Sequence, residues 1–185
     1  MILVKRKKSK REELLKNYPD AIIFDVTMSG AMKKLSPFYP HGDIPVPFTA
    51  NAFSMTVEGI WQGLKVFEFE GVDTSCFREV EEKKIKRTSS LKGKYKGHKK
   101  GTRILNGSEE DSKLLEGADA IKQIYIPSYK WMLENKCSKI IEKIKELSQE
   151  KTVILLDDKV VVDIEKATKI ISPAALIKAY IEEKI

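Results

Sequence analysis

The chain has 185 residues, 42% of them apolar and 33% charged, with a formal net charge of +7. That length suits one domain with a sizeable core, or a domain with appendages, and the composition is that of a soluble globular protein. No stretch approaches the roughly 18 apolar residues of a membrane span, and no apolar run follows the basic start as it does in a secretory signal.

Residues 1–18 read as a basic N-terminal extension, with seven bases and two acids over residues 1–16 and a short helix from Ser9 to Lys16. The apolar, β-branched run Ala21–Val26 predicts a buried strand. Pro37, Pro40, Pro45 and Pro47 make residues 28–53 a loop region with one or two short strands. Thr56 is an N-cap for a helix running to about Phe67, and a second short helix is expected over 75–84. Gly93, Gly97 and Gly101 among Lys, Ser and Thr predict a Gly/Lys loop over 87–106. Ser108 followed by Glu109, Glu110 and Asp111 opens a helical stretch to about Glu150, interrupted at Pro127. Strands are expected at 152–156 and 160–164, and Ser172-Pro173 starts a terminal helix. The sum is an α+β fold: a helix-rich single domain, residues 19–185, carrying a small β-sheet.

Thr56–Lys65 is the run with chemistry in it. As a helix it places Glu58, Gln62 and Lys65 on one face, beside an apolar stripe of Val57, Ile60, Trp61 and Leu64. Gly59 and Gly63 form a bare strip on the other side, which suggests close approach by backbone or ligand. A solvated polar face is the ordinary alternative.

This run resembles the signature of the NADAR (YbiA-like) superfamily, in which a Ser/Thr-x-Glu entry is followed by Gln at +4 and Lys at +7. Upstream, Leu35-Ser36-Pro37-Phe38-Tyr39-Pro40 resembles that family's Leu-Ser-Asn-Phe-Tyr segment, and Ile44-Pro45-Val46 its following strand. The match spans residues 35–67; Pro37 and Val66 replace the family's Asn and Phe, and its later Trp-Gly and Asn-containing elements have no counterpart. The resemblance implies a YbiA-like fold and cleavage of an N-glycosidic bond at a ribose anomeric carbon, as in a ribosylamino intermediate or ADP-ribosylated guanine. Such a bond breaks through an oxocarbenium-like state that needs nearby negative charge and a proton for the leaving nitrogen. Glu58 can supply either. Gln62 can hold a ribose hydroxyl or orient Glu58, and Lys65 can neutralise a phosphate or act as an amine nucleophile. Asp163 is the best second carboxylate, with Asp158 behind it. Ser36, Phe38 and Trp61 complete the expected substrate contacts.

The charge is local. Residues 83–103 hold ten bases and no acid, and residues 1–16 contribute +5, so the rest of the chain is net acidic at −8. With 29 Lys and 5 Arg, such a cluster suits phosphates more than base-specific readout. Lys96, His98 and Lys99 are the expected ligand contacts of this loop, which can serve a diphosphate, nucleic acid or only solvent. The partners expected are a phosphorylated ribose or ADP-ribose, with nucleic acid as a further candidate. Cys76 and Cys137 read as reduced thiols of a cytoplasmic protein, the two His lie far apart, and no cofactor or metal is expected. The alternative to the enzyme is a non-catalytic protein that binds ADP-ribose, nucleotide or nucleic acid.

Overall fold

A computed structural model describes residues 1–87, 92–102, 113–161 and 170–185. The fold is α+β. Chain contacts group it into two compact units: Met1–Ser36 with Leu133–Glu165 and Ile170–Ile185, and Pro37–Met132 with Lys166–Lys169.

The first unit is built on a parallel sheet in the order β1-β7-β2, where β1 is Ile2–Arg6, β2 is Ile22–Asp25 and β7 is Val153–Asp157. Ile2 pairs with Val153 and Ile22 pairs with the same residue from the other side. The central position of β7 explains its composition: Val153, Ile154 and Leu155 are fully buried, as a strand covered on both faces must be. Residues 1–18 are therefore no appendage, because Ile2–Arg6 supply an edge strand and α1 (Arg11–Asn17) follows it. Only four apolar residues, Met1 to Val4, precede the basic run at that end, too few to signal a strand before its partner is known.

The same unit contains α6 (Ser138–Glu150), whose Ile141 and Ile144 are buried, and α7 (Pro173–Ile181). Ser172 caps α7, its side chain accepting from the Ala175 N–H, and Asp157 Oδ2 accepts from the Ala174 N–H at 2.9 Å. The second strand expected at 160–164 lies mostly outside the described residues, as does Asp163; Val160 and Val161 form no strand.

The second unit carries the Thr56 run. Its strands are short antiparallel pairs, β3 (Ile44–Pro45) with β4 (Phe53–Ser54), and β5 (Lys65–Phe67) with β6 (Tyr95–His98). Between them lies α2 (Val57–Gly63), and α3 (Glu82–Ile85) follows a short 3-10 turn at Thr74–Phe77, which is what stands over the helix expected at 75–84. Farther on, α4 (Gly117–Ala120) leads through a π-helical turn, Ile121–Tyr125, into α5 (Ile126–Lys136). Pro127 does not break this helix. The wider turn before it absorbs the missing N–H, and Ser128 Oγ donates to Ile124 O at 2.7 Å. Ile60, Leu64, Ile85, Ile124 and Tyr129 form the unit's fully buried centre.

Candidate functional site

Thr56 begins α2 as its sequence implies: the hydroxyl accepts from the Gly59 N–H at 2.8 Å. The two glycines let other backbone in. A Cβ on Gly59 would stand 2.6 Å from Cys76 O, and one on Gly63 would stand 2.4 Å from the Phe77 ring and 3.0 Å from Asp73 O. What approaches closely is thus the chain's own 3-10 turn, which fixes α2 from one side while Val57, Ile60 and Leu64 fix it from the other.

The helix ends at Gly63, shorter than expected, and the chain leaves through Leu64 into β5. Pairing of Lys65 with His98 takes Lys65 out of helical geometry. Its side chain still returns to the site, donating from Nζ to Gln62 Oε1 at 2.8 Å. Gln62 Nε2 in turn donates to Glu58 Oε1 at 2.6 Å. The result is one hydrogen-bonded line, Glu58–Gln62–Lys65, of which Glu58 is 5% and Gln62 6% exposed. Gln62 Oε1 also accepts from the Arg87 backbone N–H at 3.2 Å. Two donors on one oxygen fix which way the amide points and leave Gln62 as an orienting group for Glu58.

Burial pushes the Glu58 carboxyl above the usual range for a glutamate, against the opposing pull of Gln62, Lys65 and Lys86. Burial likewise lowers the Lys65 ammonium, against the attraction of Glu58. Desolvation therefore drives both groups toward their neutral forms. Among the described residues the Glu58 carboxyl takes a hydrogen bond from Gln62 alone, on Oε1, and Oε2 takes none.

Arg87, which the sequence places in the basic run, is buried and internal. Nη1 donates to Gln62 O and Lys65 O at 3.1 and 2.8 Å, and Nη2 to Gly71 O at 2.7 Å. It clamps the end of α2 to β5 and stacks over Phe67 at 5.1 Å. No sequence pattern marks this role; a guanidinium simply has enough fixed donors to serve several carbonyls at once.

His98 differs most from expectation. It is fully buried in β6, with its ring 3.7 Å from that of Trp61. Nε2 lies 3.1 Å from Trp61 O, which can only accept, so Nε2 carries the proton and Nδ1 accepts from Tyr95 Oη at 2.6 Å. Burial and the charges of Lys65 and Arg87 push its pKa down to about 3. A neutral, saturated imidazole is no phosphate donor, and residues 95–98 are strand and not loop. Trp61, 7% exposed and packed edge-on to Tyr125, is core on the same evidence.

The run of ten bases is also less bare than its sequence suggests. Lys84 pairs with Glu81, Lys86 with Glu82, Lys92 with Glu70, and Arg87 lies 3.4 Å from Glu70 and 4.0 Å from Asp73. Acids outside the run thus face four of its nine described bases, Lys84, Lys86, Arg87 and Lys92. Lys94, Lys96 and Lys100 are exposed and Lys99 half-buried, and none of the four forms an ion pair among the described residues. No hydrogen bond joins Lys96 or Lys99 to Glu58. Phe38 is half-buried beneath the Lys86 ammonium, 5.0 Å from its ring centroid. Ser36, 3% exposed, belongs to the other unit and donates its N–H to Lys33 O at 3.0 Å. Asp158, in that unit too, donates its N–H to Asp157 Oδ1.

The structure thus brings Glu58, Gln62 and Lys65 together, sets Phe38 nearby, and withdraws His98 and Trp61 into the core. The chain belongs to DUF6939, a family of unknown function whose model matches residues 6–177. No curated protein and no solved structure matches it. No described helix is long and apolar enough to cross a membrane.

Proposed function

We propose that this chain is an N-glycosidase-type hydrolase acting at the anomeric carbon of a ribose or ADP-ribose joined to a base or amine. The observation that carries this reading is the buried line Glu58–Gln62–Lys65, which holds a carboxyl whose proton affinity burial raises and one of whose oxygens is uncommitted among the described residues. Supporting it is the resemblance of residues 35–67 to the NADAR signature. In the reaction, the C–N bond breaks with its electron pair going to nitrogen, which takes the Glu58 proton. The resulting carboxylate stands against the oxocarbenium charge, then accepts a proton from the water that adds to the anomeric carbon. Gln62 keeps the carboxyl aimed, and Lys65 offsets the charge that appears on Glu58. Asp163, outside the described residues, is the second carboxylate of this proposal.

The second reading, a binding protein without catalysis, draws on a different observation: Gln62 Oε1 and the two terminal nitrogens of Arg87 are engaged in internal bonds, as in a structural polar network. Incubation with ADP-ribosylated guanosine and with a ribosylamino pyrimidine phosphate separates the two. Release of free base or amine, followed by mass spectrometry, is the expected outcome. Saturable binding of either compound without release would leave the binding reading in its place.

A further inference from the structure

Two residues beside the Glu58 line are held there by their chain neighbours. Phe38 follows Pro37, whose carbonyl accepts from the Glu58 N–H at 3.0 Å. Lys86 precedes Arg87, whose backbone N–H donates to Gln62 Oε1. Each is thus one residue from a backbone bond to the site, and they meet: Lys86 Nζ stands 5.0 Å from the Phe38 ring centroid. Its charge is among those that act on Glu58.

We propose that Lys86 anchors the phosphate of a phosphorylated ribosyl ligand at this site, with Phe38 beneath the sugar and Glu82 as the carboxylate that the phosphate displaces. The sugar part of this assignment rests on the glycosidase reading; the phosphate part rests on Lys86 itself. Of the cations near Glu58, Arg87 is committed to three carbonyls, and Lys65 is half-buried and bonded to Gln62. Lys86 is different. Its side chain is 50% exposed, and its one acidic partner is Glu82, itself 45% exposed, at 2.6 Å.

An exposed i,i+4 pair of this kind is weakly held. A phosphate monoester carries more negative charge than a carboxylate and offers three acceptor oxygens, so it competes well for the same ammonium. Phe38 keeps that ammonium in place through its π face and offers an apolar floor to a ring. Glu82 then works as a placeholder: it holds Lys86 over Phe38 and gives way to a stronger anion. Neither Lys96 nor Lys99 is needed.

The test is calorimetric titration of the full chain with ribose 5-phosphate and with ribose, for the parent, Lys86→Met, Lys86→Arg and Glu82→Gln. Lys86→Met should weaken ribose 5-phosphate binding about ten- to hundredfold, the loss of one charge-assisted contact, and leave ribose binding unchanged. Lys86→Arg should retain most of the affinity, and Glu82→Gln should tighten it about two- to fivefold by removing the competitor. Equal binding by parent and Lys86→Met, weaker binding by Glu82→Gln, or no binding of ribose 5-phosphate by the parent would overturn the assignment. Because no turnover is involved, phosphate binding that depends on Lys86 in a protein without hydrolase activity would remove the glycosidase reading and keep this subsite.

Discussion

His98 should make this protein acid-labile well above the range where carboxylates titrate. Its imidazole is fully buried, neutral, and bonded at both nitrogens, with a pKa pushed from 6.5 down to about 3. In the unfolded chain the same group takes up a proton near pH 6.5. The unfolded state therefore binds more protons between these values, and stability falls as the pH is lowered through them. At a little over 1 kcal/mol per pH unit, the loss reaches about 3 kcal/mol by pH 4.5 and about 5 kcal/mol by pH 3. Against a total of about 5–15 kcal/mol for a typical domain, that is a large share. Asp25, Glu70 and Asp73 have lowered carboxyl pKa values and withdraw their own contributions at lower pH, while burial raises Asp157, and none of these differs between parent and variant. Glu58, with its raised pKa, acts in the opposite sense, and it cancels when parent and variant are compared. The perturbation is His98→Gln, whose amide can still donate to Trp61 O but does not titrate. Urea unfolding at half-unit steps from pH 7 to 4.5 should show a variant less stable at neutral pH, by about 1–3 kcal/mol for lost stacking and bonding, and a gap that closes with acid. Parallel pH profiles for the two proteins would refute the argument.

Substitutions at three further positions, Gly63, Gly71 and Arg87, test the packing around α2. Gly63→Ala gains about 1 kcal/mol of helix propensity but drives a methyl to within 2.4 Å of the Phe77 ring, an overpacking worth about 1–3 kcal/mol, so thermal melts should show net destabilisation. Gly71→Ala, with nothing within 4 Å of the added carbon, should leave the melt nearly unchanged. Arg87→Met abandons the carbonyls of Gln62, Lys65 and Gly71 and should cost about 3–5 kcal/mol in denaturant unfolding, and Arg87→Lys should recover little because one ammonium cannot match the fork.

The parts of this architecture legible in the sequence are those set locally. Thr56 as a cap, the Val57, Ile60 and Leu64 stripe, the apolar β7 segment and the Ser172-Pro173 start all depend on residues within a turn or two of one another. The bare strip of Gly59 and Gly63 announced a close approach, but the partner, the Thr74–Phe77 turn, lies farther along the chain, and spacing could not tell backbone from ligand. What stayed hidden is set by partners far along the chain. The Gly97-His98-Lys99-Lys100-Gly101 stretch is polar to any local reading, and only its pairing with β5 and the Trp61 ring makes His98 a core residue. The same pairing stops α2 at Gly63 and turns Lys65 back onto Gln62. Acidic residues outside 83–103 supply the counter-charges that a count over the run leaves out. Pro127 misleads in the other direction, since a single π turn upstream lets the helix pass through it.

The most direct test of the account is the rate of N-glycosidic cleavage by Glu58→Gln beside the parent, on ADP-ribosylated guanosine and on a ribosylamino pyrimidine phosphate, with binding of each measured alongside. The substitution keeps the shape and the contact with Gln62 and removes only the ionisable proton. Turnover by the parent is expected on at least one of the two compounds, slowed about a hundred- to ten-thousandfold in the variant, with affinity nearly unchanged. Equal rates for the two proteins would contradict it.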